Sequence, residues 1–261
     1  MEAGVSILWG ARVQPAGYGP VAVSGKTARY KWLLGADGMN SRVRLWAGLD
    51  RGRRSSLRFG FRRHFRVEPW TDYVEVHWGP RSQLFVTPVS PEEVCIALLS
   101  RNPQPRLAVE IPSFSEVARR LEGASPTSVE RGAVTVNQRF KAVARGCVAL
   151  TGDASGSVDA ITGEGISLAF LQALALAEAL EKDDLAIYQA AHTRIMNVPG
   201  FAARWLVTMD RHGWLRRRVL HALSTEPGVF SQLLASHAGS TPSRASEARR
   251  AFALGWRLLV T

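Results

Sequence analysis

The sequence predicts a mixed α/β fold of the α+β kind, with an antiparallel β region inserted between two strand–turn–helix segments and a helical C-terminus. Three observations predict it. Residues 33–44 and 148–166 each read as a short apolar strand, a tight glycine turn carrying an acid, and a helix start. Between them, residues 57–100 are rich in Val, Phe, Tyr and Trp and are broken at short intervals by Gly, Pro, Asp and Ser, the pattern of antiparallel strands. From residue 185 onward, apolar residues recur at helical spacing. The expected division is 1–54, 55–130, 131–182 and 183–261.

Taken in order, residues 5–9 and 21–23 read as short strands, with Gly25-Lys26 turning the second one back. Residues 29–34 form a third strand that runs into Gly35-Ala36-Asp37-Gly38. One or two helical turns follow over 40–47, ending at Gly48, a C-cap residue. Four strands are expected at 58–67, 73–78, 83–88 and 94–99, joined as a meander by turns at Pro69, Gly79-Pro80 and Pro91. Residues 114–121 suit a short helix and 134–136 another strand. Residues 147–151 are a short apolar run of the fully buried kind. The helix at 166–180 is apolar nearly all round, which predicts burial. Further helices are expected at 185–196, 201–211, 214–222, 228–236 and 249–260, with a polar break at 239–246.

The chain has 261 residues, 46% hydrophobic and 21% charged, which is globular composition. Its net charge of +11 comes mostly from arginine spread over 42–66, 211–218 and the tail around Arg249. Such a balance can serve nucleic acid, acidic membranes or anionic ligands. No zinc spacing, RNP-like aromatic pattern or helix-turn-helix signal points to nucleic acid, so none is expected as a partner. Two cysteines cannot build a disulfide framework, which fits a reducing compartment. No apolar run reaches the ~20 residues that span a bilayer. The start Met1-Glu2-Ala3-Gly4 lacks the features of a secretory signal. The expected location is the cytoplasm.

Gly17-Tyr18-Gly19-Pro20-Val21-Ala22 fits a dinucleotide-binding string, but it precedes an alternating strand rather than a helix and reads as a hairpin turn. The informative pair is Gly35 to Arg44 and Gly152 to Gly165. In each, glycine lets the backbone come close to a bulky ligand. An acid at the end of a buried strand can accept hydrogen bonds from ribose-like or ribityl hydroxyls. Gly163-Glu164-Gly165 opens the long helix, so free N–H groups and the positive helix end face whatever sits there.

Together these motifs resemble the FAD-dependent monooxygenase family, the aromatic-hydroxylase type with the glutathione-reductase-like FAD fold. Gly35-Ala36-Asp37-Gly38 through Arg44 is similar to that family's second flavin motif, and Gly152-Asp153 to its third. The run from Gly152 through Thr162-Gly163-Glu164-Gly165-Ile166 also resembles the geranylgeranyl reductase branch. The resemblance covers roughly residues 1–182. It implies a three-layer FAD/NAD(P)-binding domain with an inserted antiparallel substrate domain. It further implies that Gly152 and Asp153 hold the ribityl chain and that Gly163, Glu164 and Gly165 present N–H groups to the ring's carbonyl edge. Asp37 and Arg44 would help position FAD and its nicotinamide donor.

The family's pyrophosphate loop precedes the second motif and is not found here. The FAD domain is therefore expected to be incomplete at its N-terminus, and the chain alone is expected to hold FAD weakly. The reaction implied is NAD(P)H-dependent reduction of FAD, followed by hydroxylation of, or hydride transfer to, a small aromatic or isoprenoid-like substrate. The alternatives are a flavin-fold remnant without activity and a prenyl-chain reductase. Val89 after Pro88, where the reductase branch has lysine, weakens the last.

No catalytic side chain is singled out, and no metal site is expected. On the β region, Phe59, Phe61, Phe65, Tyr73, Trp78 and Phe85 are candidates to face substrate, with His64 and His77 as candidate proton carriers. For each, a core or hydrogen-bonded strand residue is the favoured reading. Cys95 and Cys147 read as inert core residues. Trp205, Trp214 and the nearby arginines could face a membrane, but a packed helical cap is favoured.

Overall fold

A computed structural model describes residues 4–15, 20–103, 106–226, 228, 230 and 231. The Gly17-Tyr18-Gly19 string, the 249–260 helix, the 239–246 break and most of the 228–236 helix lie outside these residues. The chain forms two compact units, one of residues 1–55, 136–158 and 163–198, the other of 56–135, 159–162 and 199–261. The fold is mixed α/β, with antiparallel sheets and helices toward the C-terminus, as the sequence predicts.

In the first unit, β1 (Val13–Pro15), β2 (Val21–Val23) and β3 (Lys26–Ala28) form an antiparallel sheet. Ser24 and Gly25 both have positive φ, 49° and 82°, as a tight two-residue hairpin requires. Residues 5–9 form no strand, and Trp9 is 89% exposed. Nor are residues 29–34 one strand, because the chain breaks between β3 and β4 (Leu33–Gly35).

A second small sheet sets up the site. β4 pairs in parallel with β12 (Val148–Leu150), and β11 (Ala144–Arg145) pairs antiparallel with β12. All three residues of β12 are buried, the state of a strand covered on both faces. Gly35 is required here, since a Cβ on it would lie 2.8 Å from Leu150 and 2.9 Å from Val43. α1 (Arg42–Trp46) follows β4. α4 (Gly165–Glu181) turns Leu168, Gln172, Leu176 and Ala179 inward at helical spacing. The core joins Val148, Ala149 and Leu150 to Leu176, Ala179, Leu185 and Tyr188.

The opposite side of α4 corrects the expectation of burial. Ile166, Phe170 and Leu174 are each at least two-thirds exposed, and Leu171 is half exposed. Composition made the helix look buried all round, but in this unit only one stripe has neighbours.

In the second unit, β5 (Gly52–Arg66), β6 (Glu75–Trp78), β7 (Ser82–Ser90) and β8 (Glu93–Ser100) lie in the order β5-β8-β7-β6. This is not the simple meander expected. β6–β7 and β7–β8 are hairpins, while the longer link after β5 lets β8 take the place beside it. β9 (Ser125–Pro126) adds to β5. Period-two alternation divides the faces. Phe61, Leu84, Val86, Val94, Ile96 and Leu98 meet Leu107, Phe114 and Val117, from α2 (Leu107–Glu110) through α3 (Ser115–Arg120). On the other face, Leu99, Phe85 and Trp78 meet Ile161 and Val207. β10 (Arg131–Phe140) runs on into the first unit, where it pairs with β13 (Gly156–Ser157).

Two helices expected at 185–196 and 201–211 are one, α5 (Leu185–Arg211), which passes through Pro199. The proline removes one backbone hydrogen bond. Buried residues on both sides of it, Tyr188 and Met196 before and Ala203 and Val207 after, keep the helix going. α6 is Gly213–Thr225. Among the described residues, no helix is long and apolar enough to cross a membrane.

Candidate functional site

The site grows from the end of β12. Gly152 has φ +57°, which turns the chain sharply out of the sheet into the one-turn 3-10 helix Gly152–Ala154. Its N–H donates to Gln172 Oε1 of α4 at 2.7 Å. Asp153 follows on the exposed side. Among the described residues its carboxylate has no hydrogen-bond partner, and partial burial pushes its pKa up. An acceptor left open at the end of a buried strand fits a hydroxyl-bearing chain.

Gly163 and Gly165 form the second open surface. Gly163 has φ +70°, and among the described residues nothing beyond the local backbone and chain neighbours lies within 4 Å of where a Cβ would stand on either glycine. Glu164 O accepts the first helical hydrogen bond, from Leu168 N–H at 2.9 Å. The amides of Gly165, Ile166 and Ser167 therefore have no partner within the helix.

Asp37 and Arg44 are placed differently. The Asp37 carboxylate accepts from the Arg42 N–H at 2.7 Å and the Val43 N–H at 3.3 Å, capping α1. Burial works to raise its pKa, but hydrogen bonds from Ser41, Val43 and Arg42 outweigh it and hold the carboxyl below its usual value. The start of α1 is thus already filled by the chain's own acid. Arg44 is 1% exposed. Its guanidinium donates to Asp50 Oδ1 at 2.8 Å, Met39 O at 2.8 Å and Ala154 O at 2.9 Å, and lies 4.3 Å from the Phe140 ring centroid. It ties the Gly35–Arg44 segment to the Gly152–Ala154 turn, with each of its three nitrogens making one hydrogen bond inside the protein.

Behind the turn is a polar group that sequence reading missed: Gln172, Ser155, Tyr188 and His192. Tyr188 Oη donates to Leu150 O at 2.6 Å, and burial pushes its pKa up to about 12. His192 lies 2.9 Å from Ser155 Oγ, and burial, reinforced by the Arg139 charge, pushes its pKa down to about 4. The only hint in the sequence is a polar pair four residues apart on an otherwise apolar helix face.

His192 has a consequence for stability. Unfolded, the imidazole takes a proton near its usual 6.5; folded, it resists until about 4. The unfolded state therefore binds more protons across that window, and stability falls as pH drops from 6.5 to 4. The loss reaches about 3 kcal/mol, at 1.36 kcal/mol per pH unit. Denaturant melts at pH 7 and pH 4.5 should show it, and His192→Gln should flatten the slope; an equal slope in both proteins would refute the assignment.

The remaining candidates are mostly structural. Phe59, Phe61 and Phe65 pack toward α2 and α3, while Trp78 and Phe85 pack on the other face; Tyr73 is 79% exposed. His64 is hydrogen-bonded to Ser128 and His77 to Glu75. Cys95 is half-buried, but Cys147 is exposed in the turn before β12, not in the core. Pro88 lies beside an irregularity in β7, not in a turn, and Val89 is 47% exposed. Among the described residues, no group of three or more His, Cys, Asp or Glu could hold a metal ion.

No family model and no curated protein matches the chain. Solved structures do match. CmlS, a flavin-dependent halogenase, superposes with TM-score 0.58 at 14% identity over 74% of this chain and 39% of its own. PqsL from Pseudomonas aeruginosa, a probable FAD-dependent monooxygenase, gives 0.58 at 21% identity over 76% and 63%. The Diels-Alderase PyrE3 of pyrroindomycin biosynthesis gives 0.64 at 19% identity over 90% and 56%. The fold is that of the FAD-dependent monooxygenases and halogenases. The chain spans less than two thirds of the length of each of these three structures.

Proposed function

We propose that the chain is part of an FAD-dependent oxidoreductase of the monooxygenase type, acting on a small organic molecule in the cytoplasm, with NAD(P)H as electron donor. The observation that carries this reading is the pair of open surfaces on one unit. Among the described residues the Asp153 carboxylate has no hydrogen-bond partner at the end of a buried strand, and Gly163 and Gly165 leave open space at a helix start. Their chemistry fits the flavin end of FAD. Asp153 would accept hydrogen bonds from ribityl hydroxyls, with Gly152 giving the turn its sharpness. The amides beginning at Gly165 would donate to the ring's carbonyl edge, where the positive helix end favours negative charge. The room beside Gly163 is what a flat ring needs. Glu164 shapes that turn by its backbone. Arg44 and Asp37 would act at one remove, by holding the two turns in register. When bound, the flavin supplies the redox chemistry, and the protein supplies orientation and electrostatics.

The test is FAD affinity, by fluorescence titration of the 261-residue chain. Asp153→Ala removes charge-assisted hydrogen bonds worth about 1.5–3 kcal/mol, an expected loss of roughly ten- to hundredfold. Equal affinity in wild type and variant would overturn the assignment. PyrE3 favours a second reading, since the same fold there is described as a Diels-Alderase. Under it the chain would bind FAD yet consume no NAD(P)H with any acceptor.

A further inference from the structure

Three polar side chains stand behind the Gly152–Ala154 turn, on the side away from its open face: Gln172 of α4, Ser155, and His192 of α5. All three are at most 7% exposed. Their hydrogen bonds fix one another's orientation. Gln172 Oε1 accepts the Gly152 N–H at 2.7 Å, so the oxygen must face the turn, and Nε2 donates to Met196 Sδ at 3.3 Å. The Ser155 hydroxyl faces two acceptors, Gly152 O at 2.8 Å and Gln172 Oε1 at 3.0 Å. His192 Nε2 lies 2.9 Å from it, and the Tyr188 hydroxyl, whose own proton goes to Leu150 O, is a further neighbour.

A hydroxyl has one proton, and here that proton goes to one of the two acceptors. The imidazole nitrogen must then be the donor, which makes His192 the neutral Nε2–H tautomer. Burial keeps it neutral at pH 7, with a pKa of about 4. The Tyr188 ring, edge-on with centroids 5.8 Å apart, sets the plane of the imidazole. One helical turn before His192, Tyr188 itself donates to Leu150 O, at the end of β12. A residue serving only to fill space would need no donor there, and leucine would fill the same volume.

We propose that His192 is a positioning residue for the flavin. By donating to Ser155 it keeps the hydroxyl on the Gly152 carbonyl and holds the turn in the shape that presents Asp153 to the ribityl chain. The proposal rests on the reading of Gly152 and Asp153 as the ribityl site. The chain of contact runs from the imidazole through Ser155 and Gly152 to Asp153, and His192 itself stays clear of the ligand.

The experiment uses the 261-residue chain with His192→Leu, His192→Gln, Ser155→Ala and Asp153→Ala. It has two readouts: amide hydrogen exchange over residues 148–158 without ligand, and FAD affinity by fluorescence titration. His192→Leu keeps the volume and loses the donor. It should speed exchange at the turn roughly tenfold, leave α6 unchanged and weaken FAD roughly tenfold, the size of one lost buried hydrogen bond. His192→Gln, which can donate, should restore both. If His192→Leu does not fold, Ser155→Ala breaks the same link with the ring kept, and the same two changes are expected of it.

Wild-type exchange at the turn in the donor-less variants overturns the positioning role. So does faster exchange with unchanged FAD affinity. If Asp153→Ala loses FAD while His192→Leu and Ser155→Ala do not, only the proposal fails. If Asp153→Ala also binds as wild type, the ribityl reading itself falls.

Discussion

Arg58→Met should cost about 3–5 kcal/mol at pH 7, the loss expected when one partner of a buried ion group is removed. Arg58 is 2% exposed and reaches two carboxylates, Asp159 Oδ2 and Asp210 Oδ2, each at 3.0 Å; the two acids are themselves buried. Gln83 Nε2 adds a hydrogen bond to Asp210 Oδ1 at 2.8 Å, and Arg101, 43% exposed, lies 3.4 Å from Asp210. Without Arg58, Arg101 is the remaining cation on Asp210, and Asp159 keeps only the Ile161 amide. Burial already pushes the Asp159 pKa up, with Arg58 opposing it and Asp210 adding to it. In the variant that opposition is gone, so the folded state would bind a proton at Asp159 still more readily than wild type does. The Asp159 contribution to the variant's stability is therefore greatest in acid and is lost as pH rises through the raised pKa; the His192 loss is common to both proteins, so the gap to wild type narrows toward pH 4. Urea melts at pH 7.5 and pH 4.5 measure both effects. A loss below 1 kcal/mol at neutral pH, or a gap that does not narrow, would show that the group is not the lock its geometry indicates.

Arg58 also shows where sequence reading stops. Its partners lie 101 and 152 positions away, and nothing local distinguishes it from Arg53, Arg54 or Arg62. The turns after β4 and β12 were legible because their chemistry is local. A glycine with no room for a Cβ at 35, a positive φ at 152, an acid beside each and a helix start nearby are all written within a dozen residues. Strand faces were legible too, since alternation along β7 and β8 fixes which side is apolar. The order β5-β8-β7-β6 was not, because a sheet order depends on which long connection crosses, and composition does not record that. Pro199 misled for a related reason: it marks a break by local preference, and buried residues on both sides override it. The exposed stripe of α4 is the converse case. Ile166, Phe170 and Leu174 look like core by composition, and only the list of their neighbours says otherwise.

Under the proposed flavin reading, the open and closed helix starts would decide which end of the cofactor this unit suits. α1 spends its first amides on Asp37 and Ser41, so it offers nothing to an anion. Among the described residues, the amides beginning at Gly165 have no side-chain cap, and no side chain stands over Gly163. The same glycine-and-acid spelling thus serves two purposes. In the Gly35–Arg44 segment the acid holds the protein's own turn, and in the Gly152–Asp153 turn, under the proposed reading, it would serve a ligand.

The residue joining those two motifs should be as sensitive as Arg58, and more diagnostic. Arg44→Met removes donors from Met39 O, Ala154 O and Asp50 at once, from a side chain 1% exposed. Each buried acceptor left unpaired costs about 1–3 kcal/mol, and relaxation of the loop returns part of it, so a net loss of about 3–4 kcal/mol is expected. Arg44→Lys should recover little. The three acceptors are met by three different nitrogens of one planar fork, and a single ammonium cannot reach all of them. Nor would it stack as the guanidinium does on Phe140. Because Ala154 follows Asp153 directly, both variants should also weaken FAD in the titration, even though the Arg44 side chain is buried and each of its nitrogens already bonds within the protein. Denaturant melts and FAD affinity measured side by side separate the possibilities. If lysine restores stability and affinity together, charge alone is what position 44 supplies, and the fork geometry is incidental. If stability falls but FAD affinity holds, the Ala154 carbonyl is not part of what shapes the turn.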